Sequence, residues 1–221
     1  MALKPRRSVL YVPGDNERAL DKARSLAADA IIIDLEDSVA PTNKIEARHR
    51  AVAQIRERDF GAREVILRVN GIETPWGMAD LHAAIESAPD AILVPKVSHP
   101  GDIVGTAKVI KAAEAEPRIR LWAMIETPMG IINSREIAAC APDQENRLSC
   151  LVLGTNDLLK ESRARASQNR FAVVPWLAMT LVAARATALK SSTASTTTSR
   201  TPRGSARNVS MVARSAWMVR R

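Results

Sequence analysis

The sequence contains few aromatic, cysteine and histidine residues, and these shortages exclude several kinds of site. Aromatic residues make up 3% of the 221 residues, and the chain has 2 cysteines and 3 histidines. Cys140 and Cys150 have neither the Cys-x-x-Cys spacing of a redox motif nor a metal-ligand spacing, and a reducing cytoplasm suits them best. His49 and His82 fall in helix-like segments and His99 in a loop, so no histidine is a candidate catalytic anchor.

Long apolar segments and common catalytic motifs are also missing. The longest apolar stretch, residues 171–189, is interrupted by Pro175, Thr180 and Arg185, which predicts a core helix rather than a membrane span. The basic N-terminus leads into a strand-like segment and not into the apolar core of a signal peptide. The sequence has no Gly-x-Gly-x-x-Gly, Walker, His-Glu-x-x-His or Gly-x-Ser-x-Gly motif, which excludes dinucleotide, P-loop, zinc-protease and hydrolase-elbow sites.

Acidic residues are absent from the last part of the chain. Residues 191–221 contain six arginines and no Asp or Glu, and they supply +6 of the formal net charge of +8. Residues 1–190 therefore carry only +2. A balance this close to neutral does not favour nucleic-acid binding by the body of the protein.

Three apolar runs in the body end in carboxylates, at residues 31–37, 121–126 and 151–157. A short continuous apolar run is typical of a strand that is buried on both faces. Acids that follow such runs are expected at the rim formed by the carboxyl ends of parallel strands. Proteins of the α/β class place their chemistry at this rim.

Strand-like and helix-like segments alternate along residues 1–190. Strands are predicted near residues 8–13, 30–36, 64–70, 91–97, 121–127 and 150–156, with amphipathic helices in most of the intervals, including residues 17–28, 102–115 and 175–189. Six such units predict an α/β fold with parallel strands and right-handed crossovers.

Residues 191–221 break this alternation. Nine of the eleven residues 191–201 are Ser or Thr, a composition typical of disordered, low-complexity segments. The codons of Ser, Thr and Ala restrict which residues the reading frame that starts one base earlier can encode. That frame permits a strand-like Ile-Asp-Gly-Val-Tyr sequence, followed by a normal βα continuation. We therefore interpret residues 1–190 as a barrel domain and residues 191–221 as a frameshifted, disordered tail.

Six sequence blocks occur in an order that resembles a known enzyme family. They are RSVLYVPGD at 7–15, IDLEDSVAP at 33–41 with Lys44 and Arg48, LRVN at 67–70, VPK at 94–96, IETP at 125–128 and GTNDL at 154–158. Together they resemble the citrate lyase β-subunit-like CoA-ester lyases of the HpcH/HpaI aldolase/citrate lyase superfamily, over residues 6–190. The resemblance implies a TIM-type (β/α)8 barrel, of which strands 7 and 8 are expected to be missing here, and an assembly of three or more identical subunits.

The resemblance also implies a Mg²⁺-dependent carbon–carbon lyase that acts on a 3-hydroxy-acyl-CoA thioester such as citramalyl-, malyl- or citryl-CoA. Cleavage of the bond beta to a thioester leaves an enolate, which needs a cation beside its oxygen and a base for the 3-hydroxyl proton. Two alternatives stay open. One is hydrolysis of the thioester at the same site, and the other is a non-catalytic remnant that lacks the last strands and a lid.

Carboxylates at two strand ends are the candidate metal ligands. Two carboxylate oxygens, completed by water and substrate oxygens, suit Mg²⁺ better than zinc, and Glu126 and Asp157 are the predicted pair. Glu126 is thereby also assigned to substrate binding. The alternatives are a structural salt bridge or helix cap for Glu126 and an N-cap role for Asp157.

Arg68, Glu36 and Asp37 are the predicted catalytic residues. Arg68 ends a strand, where its planar fork suits a carboxylate or thioester-enolate oxygen of the substrate; a surface salt bridge is the alternative. The resemblance implies that an acid after the second strand assists proton transfer, and it leaves both Glu36 and Asp37 open. Asp34 lies deeper on the same face as Glu36 and is expected to accept structural hydrogen bonds.

Tyr11 and Lys22 match positions that contact the CoA portion of the substrate in related lyases. This assignment rests on the resemblance, and the alternatives are a packed aromatic ring and a solvated helical lysine. Lys96 also points to the rim, but its position is not specific enough to assign a role.

Overall fold

The structure is a computed structural model that describes residues 6–165 and 170–187 and the backbone of residues 194–196. Its strands are β1 (Val9–Pro13), β2 (Ala30–Asp34), β3 (Glu64–Arg68), β4 (Ala91–Val94), β5 (Arg120–Ile125), β6 (Leu148–Gly154) and β7 (Ala194–Thr196). Its α-helices are α1 (Glu17–Ser25), α2 (Lys44–Glu57), α3 (Gly77–Ser87), α4 (Pro100–Ala112), α5 (Pro128–Ile132), α6 (Ser134–Ala138), α7 (Thr155–Glu161) and α8 (Val173–Ala186).

The strands form one parallel sheet in sequence order, from β1 to β7. Each strand pairs in parallel with the next, and at least one helix lies between consecutive strands. A sheet of consecutive βα units curls into a barrel-type arrangement. The six predicted βα units and the barrel-type α/β class are thus confirmed.

Several strands end earlier than predicted. The prediction extended the second strand to residue 36, whereas β2 ends at Asp34. The reason is that the carboxylate of Asp34 accepts hydrogen bonds from the backbone amides of Glu36 and Ser38, at 2.9 and 3.1 Å. These bonds form a turn after Asp34 in place of further strand pairing, and Glu36 lies in this turn.

The sheet also continues beyond the six predicted strands. Ala194–Thr196 pairs with β6, with Val152 opposite Ala194, where the sequence analysis places no strand. An edge strand such as β6 offers unpaired backbone groups that favour such pairing. The expected absence of a seventh strand is thus replaced by a three-residue strand within the tail, while residues 191–193 and 197–221, for which disorder was predicted, lie outside the described residues.

Side-chain alternation along the strands separates two apolar clusters. The larger cluster fills the space between sheet and helices. The smaller one lies on the opposite face of the sheet and comprises Val9, Ala30, Ile32, Ile66, Ala91, Leu93, Trp122, Met124, Cys150 and Val152. We call the face that carries this smaller cluster the inner face. Because side chains alternate between the two faces along a strand, Asp34, Arg68 and Glu126 lie on the inner face as well, where their strands end.

The predicted core helix is present as α8, with Thr180, Ala183 and Ala184 buried. Thr180 also donates its hydroxyl to the backbone oxygen of Trp176 at 2.9 Å, so its polar group is satisfied inside the helix. No helix in the described part of the chain is long and apolar enough to cross a bilayer.

Replacing Gly77 by Ala should destabilise the fold, because an added Cβ would lie 2.0 Å from the backbone oxygen of Gly71. Overpacking of this kind costs about 1–3 kcal/mol. Gly105→Ala is the matched control: it lies inside α4, and an added Cβ would meet nothing within 4 Å. The unfolding free energy of the control should increase by about 0.5–1 kcal/mol, because Ala favours a helix more than Gly does. Urea unfolding measures both, and equal stabilities would contradict the close packing at residues 71–77.

Candidate active site

Charged side chains gather where β2, β3 and β5 end. Asp34 and Arg68 are the last residues of β2 and β3 and lie opposite each other in the strand register. Glu126 directly follows β5. Since these three positions share the inner face of the sheet, the structure brings together residues that are far apart in sequence.

Arg68 and Asp34 form a buried bidentate ion pair. Nε and Nη2 of Arg68 donate to the two carboxylate oxygens at 2.5 and 2.6 Å, and Arg68 is only 5% exposed. Burial opposes the charged forms, but the pair overcomes it, so the pKa of Asp34 is lowered and that of Arg68 is raised well above its ordinary value. Arg68 therefore forms a salt bridge that is buried rather than at the surface, and its contact with the substrate stays a prediction; Asp34 accepts hydrogen bonds as expected.

Glu36 is the buried acid after β2. It is 7% exposed, and its carboxylate lies 2.8 Å from Nη1 of Arg68 and 3.5 Å from Nζ of Lys96. Its Oε2 atom has no hydrogen bond among the described residues. Burial raises the pKa of Glu36, the charges of Asp37 and Asp34 add to the increase, and Arg68 opposes it.

Asp37 occupies a different position. Its side chain is 55% exposed and reaches Nη1 of Arg68 only at 3.9 Å. The sequence left Glu36 and Asp37 equivalent, but the geometry places Glu36 inside the cluster and Asp37 at its edge.

Glu126 is 1% exposed. Its Oε1 atom accepts a hydrogen bond from the backbone amide of Lys96 at 2.9 Å. Burial, followed by the negative charge of Glu36, raises the pKa of Glu126 to about 8. Gly154 at the end of β6 makes room for this side chain, because an added Cβ would lie 2.5 Å from Oε2 of Glu126.

Lys96 belongs to the cluster although the sequence did not assign it a role. Its backbone is left-handed, with φ of 52°, which costs a residue with a side chain roughly 1–2 kcal/mol. This conformation accompanies the bond from its amide to Glu126. Its ammonium is 44% exposed and interacts with the charges of Glu36, Asp37, Glu126 and Asp157, which raise its pKa against the effect of burial.

Asp157 is the third residue of α7, and the N-cap position belongs to Gly154. The alternative N-cap role of Asp157 is therefore wrong. Its negative charge contributes to the raised pKa of both Glu126 and Lys96, so the two predicted metal ligands act on the same region.

The cluster fits a magnesium ion that is held partly by water and substrate. Among the residues the structure describes, no group of three or more His, Cys, Asp or Glu side chains could hold a metal by itself. Two carboxylates with several waters are, however, a usual donor set for Mg²⁺. Burial, with the negative charges of Glu36 and Asp157 added, raises the pKa of Glu126 to about 8, and a cation beside this carboxylate would favour its charged form.

The two residues assigned to the CoA portion differ in position. Tyr11 lies at the site, with its ring centre 5.4 Å from the guanidinium carbon of Arg68. Lys22 is exposed in the last turn of α1, and no hydrogen bond or ion pair joins it to the described part of the cluster. Their contacts with CoA stay predictions.

A second polar network lies next to the strand-end cluster, and the sequence did not predict it. Lys44 at the start of α2 donates to the backbone oxygens of Leu35 and Glu36, both at 2.8 Å, and to Oδ1 of Asn70 at 2.7 Å. The amide of Asn70 also donates to Asp80 at 2.5 Å. Lys44 stood in one of the six blocks, but its inward direction depends on how α2 packs, which a local pattern does not encode.

The chain also matches a known protein family. A family model described as HpcH/HpaI aldolase/citrate lyase matches residues 7–213. The match continues beyond Lys190, so the departure from the family at that residue is not confirmed, and the frameshift stays a prediction.

Two curated relatives and one solved structure are informative. A (3S)-malyl-CoA thioesterase of Cereibacter sphaeroides is 50% identical over 82% of this chain and 60% of its own length. The L-malyl-CoA/beta-methylmalyl-CoA lyase of Rhodobacter capsulatus is 35% identical over 68% of this chain and 48% of its own. The CitE protein of Mycobacterium tuberculosis, in complex with magnesium, acetoacetate and coenzyme A, has a TM-score of 0.69 at 25% identity, covering 86% of this chain and 66% of that protein. This chain thus spans three fifths or less of the length of these curated relatives.

Glu126→Gln should change how stability depends on pH. The pKa of Glu126 is raised to about 8 in the folded protein, so the folded state keeps a proton that the unfolded state releases. The wild type should lose stability as pH rises between about 4.5 and 8, and the loss should level off above that range. The variant has no such proton.

Urea unfolding in the presence of a chelator measures this difference. The unfolding free energy of Glu126→Gln relative to the wild type should increase between about pH 4.5 and pH 8 and level off above that range. Parallel pH profiles of the two proteins would show that Glu126 does not hold a proton at neutral pH.

Proposed function

This chain belongs to the HpcH/HpaI aldolase/citrate lyase family, and from that premise we propose that it is a Mg²⁺-dependent carbon–carbon lyase acting on 3-hydroxy-acyl-CoA thioesters of the malyl-CoA type. The observation that carries the proposal is the buried Arg68, whose guanidinium lies among strand-end carboxylates at distances of 2.5–2.8 Å. A buried cation at a sheet rim suits a reaction that develops negative charge on a carbonyl oxygen.

Arg68 is the group we assign to that oxygen. Its Nε and Nη2 atoms are engaged by Asp34, which leaves Nη1 directed toward Glu36 and the sulfur of Met124. An enolate oxygen beside Nη1 would gain a charge-assisted hydrogen bond that the neutral thioester carbonyl makes more weakly. Asp34 serves to hold the guanidinium in place.

Glu36 is the base we assign to the 3-hydroxyl proton. A carboxylate whose pKa is raised by burial accepts a proton more readily at neutral pH than an exposed one. When Glu36 takes the hydroxyl proton, the C2–C3 bond breaks, the C3 fragment leaves as an aldehyde or ketone, and the bonding electrons remain on the thioester as an enolate. Protonation of that enolate at C2 completes the products.

Glu126 and Asp157 are the residues that would hold the magnesium ion. When bound, the ion would polarise the carbonyl oxygens of the substrate as a Lewis acid. CitE of Mycobacterium tuberculosis in complex with magnesium, acetoacetate and coenzyme A supports both this metal and a CoA substrate. Cytoplasmic location and assembly into a trimer or larger oligomer stay predictions.

Thioester hydrolysis is the second candidate, favoured by the 50% identity to a (3S)-malyl-CoA thioesterase. Here Glu36 would take a proton from water, the hydroxide would add to the thioester carbonyl, and the C–S bond would break to release the CoA thiol. Arg68 would face the tetrahedral oxyanion in place of the enolate oxygen. The same described residues therefore serve either reaction.

Incubation of the full chain with malyl-CoA and Mg²⁺ should release glyoxylate and acetyl-CoA without free thiol. Arg68→Lys should lower kcat by about 100- to 1,000-fold, because an ammonium cannot reproduce the bidentate fork and its remaining donor. Arg63→Lys, just before the opposite end of the same strand and bonded to backbone oxygens, should retain activity.

The product analysis separates the candidates. Free thiol in proportion to substrate loss, with no glyoxylate, would replace the lyase by the thioesterase. Absence of both products from a chain that unfolds cooperatively in urea would identify a non-catalytic remnant.

Magnesium should raise the melting temperature of the wild type, since a ligand that binds only the folded state stabilises it. Asp157→Asn should reduce this increase, because the amide lowers the negative charge of the site. Asp59→Asn, whose side chain is 74% exposed and lies just after α2, is the control and should respond as the wild type does. A thermal shift that is the same in all three proteins would exclude Asp157 as a ligand.

A further inference from the structure

We propose that Lys44 is a positioning residue for the reaction, which holds Glu36 in its place beside Arg68 by binding the backbone of the turn that carries it. The inference rests on the role of Glu36 in the proposed function. The Lys44 ammonium does not bond the Glu36 carboxylate itself but contacts two main-chain oxygens and the side chain of Asn70.

The first support is the set of atoms that surrounds the Lys44 ammonium. Nζ donates to the oxygens of Leu35 and Glu36, each at 2.8 Å, and to Oδ1 of Asn70 at 2.7 Å. These bonds match the three donors that an ammonium offers. With Lys44 only 6% exposed, water does not replace these bonds at low cost if the side chain is removed.

The second support is that the partners of Lys44 are themselves fixed. Asn70 donates to Leu35 O at 3.0 Å and to the carboxylate of Asp80 at 2.5 Å. Asp80 on α3 is fully buried and also binds Nε of Arg48 at 2.6 Å. The network thus connects α2 and α3 to the ends of β2 and β3, and a buried network with every member bonded defines one geometry.

The third support is that Lys44 is the donor that joins both carbonyls of the turn, those of Leu35 and Glu36. On the inner side, Asp34 accepts the amides of Glu36 and Ser38, and Val39 donates to Glu36 O at 3.0 Å. The carbonyls of Leu35 and Glu36 face outward to Lys44. Without the ammonium, Asn70 would still donate to Leu35 O and Val39 to Glu36 O, but the bonds that join the two carbonyls through one group would be lost, so we expect the Glu36 carboxylate to move relative to Arg68.

Lys44→Met is the test, with Lys108→Met as the matched control, because Lys108 is an exposed lysine on the outer helix α4. Lys44→Met should lower kcat by about 10- to 100-fold, the loss expected from misplacement of a catalytic group, while KM changes little. Lys108→Met should leave both constants unchanged. Lys44→Gln keeps an amide donor and should fall between Lys44→Met and the wild type, and it decides the question if Lys44→Met does not fold.

Native-state hydrogen exchange provides a readout that does not need turnover. In Lys44→Met, the amides of Glu36, Ser38 and Val39 should exchange faster than in the wild type, while the amides of β5 and β6 should exchange at the wild-type rate. Unchanged exchange at the turn would overturn the proposal. A uniform increase throughout the core would also overturn it, because it would reveal a general stabilising role.

The two measurements separate this inference from the proposed function. If the wild type converts no thioester, the proposed function fails, and the exchange data alone decide whether Lys44 holds the turn. If the wild type is active and Lys44→Met changes exchange locally but leaves kcat intact, the positioning role is refuted while the lyase stands.

Discussion

The buried ion pair between Asp34 and Arg68 is the interaction on which the rest of the site depends. Moving two charges out of water costs several kcal/mol each, and only good geometry with additional hydrogen bonds offsets that cost. Here two strand ends in register provide the geometry, and Asp34 also accepts the amides of Glu36 and Ser38. The turn that carries Glu36 is therefore built on the pair, and the loss of either partner would leave a buried charge and release the turn.

The pair leaves the remaining carboxylates with too little positive charge. Nε and Nη2 of Arg68 are engaged by Asp34, while Lys96 is half exposed and faces several acids at once. Burial is the largest cause of the raised pKa of Glu126 and of Glu36, and the charges of neighbouring acids add to it. In the proposed site, a proton and a divalent cation would both reduce the negative charge around Glu126 and Glu36, so metal binding and protonation would be coupled. In the proposed function, the carbonyl oxygens of the substrate would bind the same cation that these carboxylates hold.

The sequence was informative where local periodicity carries the signal. Apolar runs located six strands, and side-chain alternation placed Asp34 below Glu36 on one face. The sequence could not predict that Arg68 engages Asp34 through both oxygens, since the two residues are 34 positions apart and their pairing follows from strand register. The left-handed backbone of Lys96 and the inward turn of Lys44 were missed for a similar reason, because each is imposed by a distant partner, Glu126 or Asn70.

The same cluster explains why family membership alone does not determine the reaction. An enolate oxygen and a tetrahedral oxyanion both carry negative charge on the thioester carbonyl oxygen, so in the proposed mechanisms Arg68 and a bound cation would stabilise either one. In the same proposals, Glu36 would take a proton from a substrate hydroxyl in one case and from water in the other. The difference between a malyl-CoA thioesterase and a malyl-CoA lyase, the two activities named for the relatives, must then lie in whether water reaches the space beside Glu36.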